Sequence, residues 1–165
     1  MRGSRSKGQM EMKRVESTVK CHRIIGGCGE GEALISHEPI CFYLTDPKTG
    51  VVREKNHELA GQNVANKVLV FPSGKASSVV QIDGLFKLVQ HGLAPSAMII
   101  KDVETVLVVS AFITKIPLVD KLEKDPFRIM HTGDFVKVDA DRGIVTIVKS
   151  KAQRFSSSQE AYRLS

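Results

Sequence analysis

The sequence predicts a single α/β domain with flexible ends, and three observations carry that prediction. Residues 67–71 (KVLVF) form an unbroken apolar run closed by Pro72, the pattern of a strand buried on both faces. Beyond it the apolar period lengthens to three or four residues at Val79, Ile82, Leu85/Phe86 and Leu88/Val89, which is a helical stripe. A second buried strand follows at 96–100, and strand–helix–strand is the unit that builds a parallel pair.

The other elements read in chain order. Residues 19–25 are a strand stopped by Gly26-Gly27. The Gly-rich stretch 26–31 does not match GxGxxG and reads as a flexible connection between strands. Two short strands follow at 32–36 and 40–44. The segment TDPKTG at 45–50 sets Pro for a turn and Gly for positive φ, leading into a strand at 51–53. The helix of the central unit starts with Ser78 and Gln81 in capping-box spacing and stops at Gly92 and Pro95. Residues 106–113 are apolar except for Ser110, and periodicity leaves helix and strand both open. A strand at 116–119 precedes Thr132-Gly133-Asp134. The end of the domain is a hairpin alternating at Phe135, Val136 and Val138, then at Ile144, Thr146 and Val148.

Size and composition agree with one core and exclude several function classes. The chain has 165 residues and is 42% hydrophobic and 25% charged. That is enough apolar material for one packed domain and argues against disorder. Seven Phe, two Tyr and no Trp argue against a stacked aromatic surface for RNA. The net charge of +6 sits in the ends: residues 1–14 hold five bases against one acid, and 149–165 hold four against one. Fifteen bases and sixteen acids remain between them, so the domain itself lacks the basic stripe of a nucleic-acid binder. No apolar run approaches the roughly 20 residues of a membrane span, and no secretory leader is legible at the start, so a cytoplasmic location is expected. Residues 1–17 are expected to be a flexible basic arm, 18–149 the domain and 150–165 a flexible tail.

Metal chemistry finds no support in the spacing. Cys21, Cys28 and Cys41 fit no CxxC pattern, the five histidines are scattered, and HExxH is absent. The three cysteines read as reduced thiols, and no metal is assigned to this chain. His37 and Glu38 are a possible acid–base pair beside Pro39, though a turn in that place also suits them.

The stretch most able to carry chemistry is FPSGKASSVVQ at 71–81. It leaves the carboxyl end of a buried strand and enters a helix N-terminus, where free N–H groups and a partial positive charge suit an anion. Gly74 permits close backbone approach, Lys75 adds a cation, and Ser77 and Ser78 add hydroxyls. It is not a P-loop, because Ala76 follows the lysine and the first glycine is missing. Local physics leaves two readings open: an anion site, or a capped helix start beside a solvated lysine.

The order and spacing of GEGEALIS, EPICFYLTDPKTGVV, HELAGQNVANKVLVFPSGKASS, HGLAPSAMII, IPLVDKL and HTGDFVKVDADRGIVTI resemble the small subunit, or swivelling domain, of the aconitase X family. The resemblance covers about residues 18–149 and implies a swivelling β/β/α fold. It implies a hydro-lyase subunit that works only with a large aconitase X-type partner, the partner carrying an iron–sulfur cluster. The implied reaction dehydrates mevalonate 5-phosphate to an anhydromevalonate phosphate in the modified archaeal mevalonate pathway. By the same resemblance Ser77 is the catalytic base, and Gly74, Lys75 and Ser78 hold the phosphate or carboxylate of the substrate. This sequence departs from the family's PxGKGSSxGS at Ala76 and at Val80-Gln81, and from SFxGGxDP at 41–46. Two alternatives therefore stand beside it: dehydration of another hydroxy acid such as 3-hydroxyproline, and a non-catalytic anion-binding paralogue.

Overall fold

A computed structural model describes residues 14–150 as three layers, with two sheets face to face and helices outside one of them. The chain runs β1 (Glu16–Lys20), β2 (His22–Ile25), β3 (Cys28–Ile35), β4 (Val68–Phe71), α1 (Ser78–Gln90), β5 (Ala97–Ile100), α2 (Thr105–Thr114), β6 (Leu118–Asp120), α3 (Pro126–Ile129), β7 (Phe135–Asp139) and β8 (Ile144–Val148). Strand order is β1-β8-β7-β3-β4-β5-β6-β2. The stretch β3-β4-β5-β6 is parallel and the remaining pairings are antiparallel. The α/β class and the β/β/α layering follow the expectation. Most of the expected arm and tail lie outside the described residues, and β1 already begins at Glu16, inside the 1–17 arm.

Side-chain alternation explains why the parallel strands are apolar on both faces. Val68 and Val70 of β4, with Ala97 and Ile99 of β5, enter a core between the two sheets shared with Val136, Val138, Val145 and Ile147. Leu69, Phe71, Met98 and Ile100 point the other way, into a core with Leu85, Leu88, Leu107 and Ala111 of the helices. A strand sandwiched between two cores has no polar face to show.

Several local expectations need correction, among them the strand expected at 51–53, where only the isolated bridges Thr45–Val52 and Val51–Asn63 form. The strand expected at 19–25 is broken at Cys21, whose N–H donates to Gly143 O at 2.9 Å. On one side of that residue β1 pairs with β8, and on the other β2 pairs with β6 at the far end of the strand order. One residue thus carries the chain between sheets.

The Gly-rich stretch is not a flexible connection from Cys28 onward. It is the first half of β3, paired with β7 from Cys28 to Glu32, while the second half pairs with β4. Here the two sheets meet, and backbones approach closely. A Cβ on Gly29 would lie 2.0 Å from Ser96 O, and one on Gly31 2.2 Å from Asn66 O.

Residues 40–44 form no strand. Ile40 makes one isolated bridge to Gly74, and Phe42–Leu44 is a 3-10 turn. Its backbone lies against α1, where a Cβ on Gly84 would sit 2.3 Å from Tyr43 N. Phe42 is fully buried, edge-on to Phe71.

The buried side of α1 is Gln81, Gly84, Leu85 and Leu88, leaving Val79, Phe86 and Val89 of the expected stripe exposed. In β8 the inward residues are Val145 and Ile147, one position off the expected alternation. The open case at 106–113 resolves as the helix α2, begun by Glu104, whose carboxylate accepts from Val106 N and Leu107 N at 2.8 Å.

Candidate active site

The carboxyl ends of β3, β4 and β5 meet at one edge of the parallel sheet, where open α/β sheets bind ligands. The loop after β4 is fastened to the segment after β3, since Ile40 N donates to Ser73 O and Lys75 N to Ile40 O, both at 3.1 Å. The loop after β5 is fastened to the same place, with Lys101 N and Asp102 N both donating to Pro72 O. Loop 72–78 is therefore held from both flanks, and its tip is exposed from Lys75 through Ser78.

Each expected site residue has a definite place on this loop. Gly74 is buried and pairs with Ile40; a Cβ there would come 2.8 Å from Gln81 Nε2. Lys75 is exposed, and its Nζ is bonded to the half-buried Glu54 carboxylate. Ala76 has φ +138°, a left-handed backbone that strains any residue with a Cβ.

Ser77 is the N-cap of α1 by position, with extended backbone, and its side chain makes no capping hydrogen bond. Ser78 is the first helical residue, so the Ser78–Gln81 capping box does not form. The physical reason lies in Gln81, which is fully buried and turned away from the helix start. Its Oε1 accepts from Phe42 N at 2.9 Å, and its Nε2 donates to Ile40 O at 3.1 Å.

The two helix starts at this edge differ chemically. Glu104 neutralises and fills the N-terminus of α2, whereas α1 presents uncapped N–H groups beside the exposed hydroxyls of Ser77 and Ser78. Neither reading of the loop is decided by this difference; what the geometry gives is a helix start whose N-cap side chain makes no capping hydrogen bond.

His37 pairs with Glu58, not Glu38. Glu58 accepts from the His37 ring at 2.9 Å and from its N–H at 2.6 Å. Partial burial pushes the Glu58 carboxyl up, and the hydrogen bonds from His37 overcome that and hold it below the ordinary glutamate value. The buried His57 is a structural residue. Its Nδ1 accepts from Leu59 N, so Nε2 carries the proton and donates to Pro39 O at 3.0 Å.

Sequence reasoning missed Glu54 and Glu104, and gave Gln81 the wrong role. Glu104 had a legible signal, an acid just ahead of an apolar run. Glu54 is 21 residues from its partner and had none.

The cysteines do not suit an iron–sulfur cluster. Cys21 lies at the sheet crossing, Cys28 opens β3, and Cys41 is buried before the 3-10 turn. Among the described residues the set of three ligand atoms within 4.8 Å is Cys28, Asp139 and Asp141, with one thiol only. No helix among the described residues is long and apolar enough to cross a membrane.

The comparisons with known proteins agree with one another. The family model described as the aconitase X swivel domain matches residues 18–147. A phosphomevalonate dehydratase small subunit from Methanosarcina acetivorans is 44% identical over 137 residues, covering 82% of this chain and 94% of its own. One from Thermococcus kodakarensis is 38% identical, over 79% of this chain and 96% of its own. The crystal structure of Thermococcus kodakaraensis aconitase X in its holo-form superimposes with a TM-score of 0.73 at 37% identity, over 81% of this chain and 99% of the matched one. The chain belongs to the aconitase X swivel domain family.

Proposed function

We propose that the chain is the small subunit of a dehydratase that removes water from mevalonate 5-phosphate in company with a large subunit. Two things support the substrate and the division of labour: the relatives at 44% identity bear the name phosphomevalonate dehydratase small subunit, and they are spanned nearly end to end. The observation that carries the chemistry is Ser77, exposed at the uncapped N-terminus of α1 with its hydroxyl free of a capping bond. It occupies the position of the first serine in the family's loop pattern.

In this reading Ser77 takes a proton from the carbon beside the substrate carboxylate. The electron pair of that C–H bond becomes the new C=C bond, and the hydroxyl on the neighbouring carbon leaves as hydroxide to the Lewis acid that the large subunit's iron–sulfur cluster would supply, the proton given up earlier by the Ser77 hydroxyl completing the released water. A serine alkoxide is a strong base, and the partial positive charge of the α1 N-terminus lowers the cost of forming it. Gly74, Lys75 and Ser78 bind the anionic ends of the substrate, with Glu54 holding the Lys75 side chain in place. The iron–sulfur cluster belongs to the large subunit, and no step of it runs through this chain.

Two observations favour the non-catalytic alternative: Glu54 offsets the charge of Lys75, and Ala76 strains the loop. The full chain assembled anaerobically with its large subunit separates the two. Formation of the unsaturated phosphate from mevalonate 5-phosphate supports the proposal. An assembled pair that dehydrates only 3-hydroxyproline, or neither compound, overturns it.

A further inference from the structure

We propose that the outward face of α1 and α2 is where the large subunit seats, an inference that rests on the small-subunit reading above. The two helices pack side by side over the parallel sheet, with Leu85, Leu88, Leu107 and Ala111 turned inward. Their other sides carry an unusual load of large apolar groups. Val79 is 76% exposed and Phe112 71%, and Phe86, Val109 and Ile113 are exposed as well. The ten residues of α2, TVLVVSAFIT, contain no charged side chain. On α1, Asp83 and Lys87 pair with each other at 2.7 Å, so the two-helix face carries little net charge.

Scattered exposed apolar residues are ordinary, but five on two adjacent helices form a patch, and depletion of charge marks the centre of a protein interface. The position of the patch identifies its occupant. Val79 stands two residues from Ser77, and Val103, 57% exposed, stands at the entrance to α2 beside the same edge. A hydroxyl that acts on a substrate bound by the partner requires the surface around it to be covered on assembly. A second copy of this chain on the face would cover that edge and shut the partner out.

The test uses the full chain with Phe112→Asp and, separately, Phe86→Lys, titrated against the large subunit. Both residues are exposed, so both variants are expected to keep the wild-type melting temperature. Dissociation constants for the large subunit rise at least about 30-fold, the scale of interface hot spots. Turnover at saturating large subunit stays at the wild-type level, because Ser77 is untouched. Hydrogen exchange on the wild-type chain needs no variant: amides of 79–90 and 105–114 become protected when the large subunit is added. Wild-type affinity in both variants, or no added protection, overturns the docking face while leaving the dehydratase reading intact. A self-associating free chain that the variants dissociate, with pairing unaffected, also overturns it and makes the face a homodimer contact. A wild-type pair that forms through this face without dehydrating mevalonate 5-phosphate upholds the docking face and overturns the dehydratase reading.

Discussion

Gln81 and Phe42 lie 39 residues apart, yet the amide of one satisfies the buried backbone N–H of the other at 2.9 Å. With the second bond to Ile40 O, Gln81 ties the first turn of α1 to the segment after β3, and so fixes the base of the loop that presents Ser77.

Gln81→Leu therefore costs more than one hydrogen bond. It leaves the buried Phe42 N–H without its partner, while Ile40 O keeps its bond from Lys75 N, at about 1–3 kcal/mol in total. Urea denaturation of the full chain is expected to show the midpoint falling with an unchanged m-value. A loss below about 0.5 kcal/mol would mean that water replaces the amide at little cost.

Ser77→Ala separates chemistry from folding. Because the hydroxyl makes no capping bond, the melting temperature is expected to move little. In the assembled enzyme turnover falls by about two to three orders of magnitude, the scale of a lost proton-transfer group. Full activity with a lowered melting temperature would reduce Ser77 to a helix cap.

Ala76→Gly tests the strain at φ +138°. Glycine adopts that backbone without a Cβ clash, so the variant is expected to gain about 1 kcal/mol, or about 4 °C in Tm. If the loop is a weakened form of the family pattern, turnover rises too. Calorimetry showing no gain would locate the strain elsewhere.

Glu58 gives the acid limb of stability a local cause. Its folded carboxyl titrates below the ordinary glutamate value, so its contribution is present above that value and is lost as pH falls through the folded one. Melting curves between about pH 5 and pH 3 should therefore fall more steeply for the wild type than for Glu58→Gln. Parallel curves would show that the His37 pair contributes nothing to folding.

Much of the architecture was legible because it rests on local pattern. The run at 67–71 and its echo at 96–100 read as strands with two buried faces, and the lengthened period between them read as a helix. The loop at 72–78 was legible as a candidate site for the same reason, since a strand end followed by a helix start leaves backbone donors free. The motifs also pointed to the family, which the comparisons then matched over residues 18–147.

What the sequence alone determined is thus the class of the fold, the central β–α–β unit and the address of Ser77. Tertiary structure decided which groups meet across long separations: Lys75 with Glu54, Gln81 with Phe42 and Ile40, and His37 with Glu58. It also decided the crossing at Cys21, and that β3 spans two sheets. Periodicity reports one residue's relation to near neighbours, whereas a polar side chain buried by packing takes whichever backbone group the fold brings within about 3 Å. Gln81 shows the difference most plainly: its spacing from Ser78 spelled a cap, and close packing of α1 on Phe42–Leu44 gave its amide a different partner.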